Sequence, residues 1–198
     1  MTDHHSLAQT QFVEIIHSAE KIVVIDHHRR TDAFEFNPLL TYIESAASSA
    51  SELVIELFPY HKRNVIISKL DATFMYTGML IDTNRFRNRS NSRTFEAAAE
   101  LRKYGADLLM VEDMLRDEYE NFALKNQVLN TCQRFEDQYV IAPFKDQELP
   151  RPLMSQVADE IISIRDIEAS FVVANVSDDV VAVSSRSNGD LKVQVVME

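Results

Sequence analysis

Apolar and polar positions change their rhythm several times along this chain, and each change predicts an element. Residues 21–25, "KIVVI", are a short β-branched run bounded by charge, which reads as a fully buried strand. In "ESAASSASELVIELFPYH", Ala47, Ala50, Val54 and Leu57 recur every three or four residues, so a helix is expected there, stopped by Pro59. A second helix is expected over 65–81. A third is expected over 93–104, with Ser92 as its N-cap and Gly105 just beyond its end. Helical spacing continues through 107–131. From Gln138 the texture changes: "YVIAPF" reads as a strand, "QELPRP" as a loop and "LMSQVADEIISI" as an amphipathic helix. "IEASFVVANV" and "DVVAVSSRS" read as paired strands around "SDD", and "DLKVQVVME" as the start of a helix.

These elements give an α/β class: part of a parallel sheet flanked by helices, followed by a smaller α+β domain. The boundary is placed near 135–138, dividing the chain into domains 1–136 and 137–198. Only one strand is legible in the first of them, fewer than a parallel sheet requires.

Composition narrows the function. A formal charge of −11 opposes a broad grip on duplex nucleic acid, which needs a wide basic face. It still permits a local basic pocket, and "RFRNRSNSR" gathers Arg85, Arg87, Arg89 and Arg93. No apolar run approaches the ~20 residues of a membrane helix, so no membrane contact is expected of this segment. Cys132 is the lone cysteine, which suits a reducing cytoplasm.

Three aspartates punctuate the apolar pattern. Asp3 opens "DHHS", Asp26 opens "DHHRR", and Asp82 closes "GMLID". Asp26 and Asp82 each follow an apolar segment, where a chain leaves the core and where ligands gather in open α/β sheets. Imidazole and carboxylate donors suit Mn²⁺, Fe²⁺ or Zn²⁺. On spacing alone, a polar strand-end turn in a metal-free binding or assembly module is the favoured reading.

The stretches "IVVIDHHRR", "LTYIESAASSASELVIEL" and "GMLIDTNRFRNRSNSRTFEAAAELRKYGAD" resemble the DHH phosphoesterase superfamily. More narrowly, they resemble the DHH–DHHA1 module of the membrane-anchored cyclic-di-AMP phosphodiesterases of the GdpP type. "IEASFVVAN" and "VAVSSRSNGDLKVQVVME" resemble the DHHA1 domain of the same group. The resemblance implies a two-metal Mn²⁺ centre that hydrolyses cyclic-di-AMP to linear pApA. By motif, Asp3, His27 and Asp82 fall as metal ligands, His28 faces the phosphate, and Asp26 orients the imidazoles. Arg186 and Ser187, facing the cleft between the domains, and Arg93 near a helix start fall as substrate contacts. Arg85, Arg87 and Arg89 read as a solvated turn, and Ser45, Ser48 and Ser49 as helix capping and packing.

The superfamily's first motif, a histidine followed by two aspartates, has no counterpart here, nor has its later Gly-Gly-His segment. The resemblance therefore implies a cytoplasmic fragment of a membrane-anchored parent, weak or inactive alone, from a group whose domains are often dimeric. An oligoribonuclease, exonuclease or pyrophosphatase of the same superfamily would share these motifs.

Overall fold

A computed structural model describes residues 1–29, 34–61, 66–189, 191–193 and 195. The chain divides into two compact units, Met1–Arg116 and Asp117–Glu198. The helix start expected near Leu191 falls largely outside the described residues.

The first unit is built on short parallel pairing. After helix α1 (Val13–Ser18), strand β1 (Val23–Asp26) pairs in parallel with β2 (Leu40–Ile43), Asp26 lying opposite Ile43. The sequence reading missed β2. On β1 the chain's first residues add a parallel bridge, Thr2 to Ile25; Ile25 N–H donates to the Met1 carbonyl and Asp3 N–H to the Ile25 carbonyl, each at 3.0 Å. Asp3 is thereby brought beside the end of β1. Val24 is fully buried but Val23 is 38% exposed, so β1 alternates where continuous burial was expected. That alternation is how a strand covered on one face reads.

Helix α2 (Ala50–Leu57) begins later than its apolar spacing suggests. Ser49 adopts an extended backbone and its hydroxyl accepts from Glu52 N–H, so the small residues before it form a turn rather than a helix. Helix α3 (Lys69–Asp82) opens with a capping box in which Ser68 and Asp71 satisfy each other's backbone N–H groups. It ends at Thr83, whose hydroxyl donates back to the Met79 carbonyl at 2.7 Å.

Helix α4 (Ser92–Lys103) is capped by Asn91, not Ser92, because the Asn91 carbonyl oxygen accepts from both Arg93 and Thr94 N–H groups. Its end is a Schellman closure: Ala106 N–H reaches the Leu101 carbonyl and Gly105 N–H the Arg102 carbonyl. This closure needs Gly105 at φ +94°. Helix α5 (Leu108–Met114) follows. Ile55, Ala72, Met79, Ala97, Ala98, Leu101 and Ala106 form the core of this unit. Its small alanines let the helices approach closely.

In the second unit, helix α6 (Tyr119–Leu129) leads into a four-stranded sheet of order β3-β4-β5-β6. The strands are β3 (Gln133–Phe135), β4 (Tyr139–Phe144), β5 (Ala169–Ser177) and β6 (Val180–Ser187). β4 and β5 are parallel, joined by helix α7 (Arg151–Ile162); β3–β4 and β5–β6 are antiparallel. Phe144, Leu149, Met154, Val157, Ile161 and Val172 fill the core between α7 and the sheet. Val128 of α6 joins them, with Leu124 and Leu129 packed alongside. The compact units thus divide ahead of α6, whereas the compositional change expected at 135–138 lies after it. Among the described residues no helix is long and apolar enough to cross a membrane.

Candidate metal centre

The Asp26 carboxylate, at the end of β1, is fully buried and is the hub of the site. His28 donates to its Oδ1 from the backbone N–H at 3.1 Å and from Nδ1 at 2.8 Å. His5 Nδ1 lies 2.5 Å from Oδ2. A carboxylate only accepts, so both imidazoles carry their proton on Nδ1 and leave Nε2 available. Burial alone would raise the Asp26 carboxyl, but the bonds from His5 and His28 outweigh it and hold the group down at about 2. Asp26 is therefore a fixed anion that orients two rings.

His27, next along, is 6% exposed. Its Nε2 lies 3.1 Å from Asp3 Oδ1 and 3.7 Å from Asp82 Oδ2, yet neither ring nitrogen has a hydrogen-bond partner among the described residues. Three donor side chains thus face one another without bonding one another. Asp3 reaches this position from a left-handed backbone, φ 69°, at the end of its bridge to β1. Asp82 arrives from the other direction, as the last residue of α3. Burial raises the Asp82 carboxyl above its ordinary value and the Asp3 charge adds to this, while His27, His28 and Arg89 pull the other way. Such a carboxylate is uncomfortable as it stands.

Donor atoms of Asp3, His27 and His28 all lie within 4.8 Å of one another, the spacing of ligands around one cation. The set is imidazole and carboxylate, which suits a divalent ion. The unpartnered, buried nitrogens of His27 are the observation that a cation would satisfy. Sequence reasoning brought Asp3, Asp26, His27, His28 and Asp82 to one place, and the structure places them there. It missed His5, although "DHHS" repeats the acid and paired imidazoles of "DHHRR".

The expected substrate residues have partners of their own. Arg93 is clamped by Glu56, Nε to Oε1 at 2.9 Å and Nη2 to Oε2 at 2.7 Å, in a separate cavity beside Tyr42 and Tyr60. Arg186, in the second unit, is held by Asp159 at 2.6 and 3.2 Å and by the Ser185 carbonyl, while the Ser187 hydroxyl accepts from Gly189 N–H. Arg85 pairs with Glu112, as a surface turn would. Arg89 instead joins His27 and His28 in lining a cavity.

Residues 1–79 match the family described as "DHH family, N-terminal domain". These residues are similar to that family's N-terminal domain. The DHH triplet for which the family is named is Asp26-His27-His28, the hub of the geometry above. The chain is 36% identical over 199 residues to the cyclic-di-AMP phosphodiesterase PdeA of Listeria monocytogenes, covering 100% of this chain and 30% of that protein. It is also 28% identical over 189 residues to a probable manganese-dependent inorganic pyrophosphatase of Streptococcus mutans, covering 96% of this chain and 56% of that one. An exopolyphosphatase-related protein from Bacteroides fragilis shares the fold, with a TM-score of 0.80 at 23% identity over 95% of this chain and 57% of that one. The chain spans about three-tenths of the length of the cyclic-di-AMP phosphodiesterases it matches.

Proposed function

We propose that this chain supplies the metal-holding and phosphate-handling groups of a phosphodiesterase that hydrolyses cyclic-di-AMP to linear pApA. The observation that carries the reading is the buried His27 imidazole, facing Asp3 and Asp82 with no hydrogen-bond partner of its own. The identity to PdeA supports the substrate assignment.

Asp3, His27 and Asp82 would hold a divalent cation, with Mn²⁺ the first choice given the manganese-dependent relative. Such an ion supplies Lewis acidity toward a phosphoryl oxygen and acidifies water. Asp26 fixes the rings of His5 and His28 so that each presents Nε2. His28, half exposed at 51%, is placed to move a proton or to donate to a phosphoryl oxygen. Arg186, Ser187 and Arg93 are assigned to substrate contact, Arg93 only after Glu56 releases it. The donor set in this chain suits one ion rather than two, so turnover by this chain alone is expected to be slow. The parent is proposed to be anchored in a membrane with this portion in the cytoplasm, and to form homodimers.

The manganese-dependent pyrophosphatase relative gives a second reading specific support, hydrolysis of pyrophosphate at the same centre. Incubation of the intact parent with Mn²⁺ and, separately, cyclic-di-AMP, pApA and pyrophosphate distinguishes them. Formation of pApA from cyclic-di-AMP, abolished by His27→Ala, is the expected result. Phosphate release from pyrophosphate with cyclic-di-AMP untouched would overturn the phosphodiesterase reading.

A further inference from the structure

His27 and His28 also form one wall of a cavity of about 670 Å³ in the first unit, completed by Arg29, Ser45, Arg89, Ser90 and Asn91 beside two small alanines. No acidic side chain lines it among the described residues. Neither Arg29 nor Arg89 has an ion-pair partner among those residues. In a chain with 31 acidic side chains against 20 basic ones, Arg85, Arg93 and Arg186 each find a carboxylate. Two guanidiniums sharing one cavity, with no carboxylate among its described lining residues, are a local excess of positive charge.

Asn91 and Ser45 can add donors. The Asn91 carbonyl oxygen is committed to capping α4, so its amide N–H₂ is the part left to face a ligand. The Ser45 hydroxyl adds a short polar contact, the Ser90 hydroxyl is already donated to the Asn88 carbonyl at 3.2 Å, and the alanines leave room. Forked guanidinium donors with hydroxyl and amide support are the chemistry that binds phosphate. A cavity of this size also exceeds the needs of a bare phosphate and can admit part of a nucleoside.

We propose that this cavity is a second phosphate subsite, in which Arg29 and Arg89 hold a non-reacting phosphate while the reacting phosphate lies at the Asp3–His27–His28 cluster. The centre would thereby select ligands carrying two separated phosphates, such as a cyclic or linear dinucleotide, over ligands carrying one. The selection rests on the phosphodiesterase reading above; the anion site itself rests on the cavity alone.

Two titrations separate these layers. First, the chain stripped of metal with EDTA is titrated with inorganic phosphate and followed by amide NMR, which also reports the fold of each variant. Shifts are expected at Arg29, Ser45, Arg89 and Ser90, with affinity about tenfold or more weaker in R29Q/R89Q. No shifts there, or equal affinity in the variant, would overturn the subsite. Second, calorimetry with the Mn²⁺-loaded chain compares pApA with AMP. The double variant should lose about tenfold or more for pApA and much less for AMP. Equal losses for both would overturn the two-phosphate assignment. Phosphate bound in the cavity, with no Mn²⁺-dependent binding of pApA by the wild type, would support the anion site and sink the phosphodiesterase reading instead.

Discussion

Asp26 has no solvent exposure and two imidazoles donating to it, while Asp82 sits partly buried with the Asp3 carboxylate beside the same His27 nitrogen. The two acids are consequently displaced in opposite directions, Asp26 down to about 2 and Asp82 upward. Linkage turns this into opposite effects on stability. For Asp26, the ionised form is favoured by folding, so its contribution is present above the ordinary carboxylate pKa and lost as pH falls through about 2. For Asp82 the ionised form is disfavoured by folding, so its contribution is present at low pH and lost as pH rises through its raised value. At pH 7 without metal, Asp82→Asn should therefore raise the melting temperature and Asp26→Asn lower it. Adding Mn²⁺ should stabilise the wild type, but Asp82→Asn hardly at all. Asp26→Asn should retain binding weakened about 10–100-fold, as expected of a group proposed to orient the ligands rather than to hold the ion. Differential scanning fluorimetry with and without Mn²⁺ checks all three; a lower melting temperature for metal-free Asp82→Asn would contradict the strain assigned to that carboxylate.

At the scale of elements, the centre depends on where β1 and α3 end. Helix α3 carries Asp82 on its last residue, and the capping box of Ser68 and Asp71 sets its first turn. Ser68→Ala removes one orphan-donor partner and should cost about 1 kcal/mol in urea unfolding, with the Mn²⁺ response kept. A loss of Mn²⁺ binding in that variant would mean that the helix start, rather than its packing, positions Asp82. β1 depends on neighbours too distant or too short to read: β2 joins only four residues to it, and the stub at Thr2 a single bridge. Periodicity cannot detect a one-residue bridge, and Leu40–Ile43 is shorter than the window over which alternation becomes visible. By contrast "YVIAPF" coincides with β4, and the paired strands at the end coincide with β5 and β6, because each run is long and bounded by turn residues.

Across the whole molecule, the chemistry was more legible than the packing. Asp26, His27 and His28 stand together in sequence, and a family resemblance joins Asp3 and Asp82 to them, so this grouping of side chains is legible without the fold. Arg89 could not be distinguished from Arg85 and Arg87 in "RFRNRSNSR", because only the left-handed backbone at residues 84–86 and 89 decides which guanidinium turns back toward the histidines. The division ahead of α6 was hidden for a similar reason: Val128 belongs to the core with Phe144 and Met154, a contact that composition does not record. Phe144→Ala should accordingly destabilise the Asp117–Glu198 unit by about 3–5 kcal/mol in denaturant unfolding while leaving Mn²⁺ binding intact, since every cluster ligand lies in Met1–Arg116. Loss of Mn²⁺ binding in a still-folded Phe144→Ala chain would contradict that separation. The central claim, that one cation is shared by Asp3, His27 and Asp82, is tested most directly by pulsed electron paramagnetic resonance of Mn²⁺ titrated into this chain. The account predicts saturable binding with coupling to an imidazole nitrogen, the binding and its coupling falling sharply in His27→Ala. Non-saturable binding, or a nitrogen coupling undiminished in His27→Ala, would contradict it.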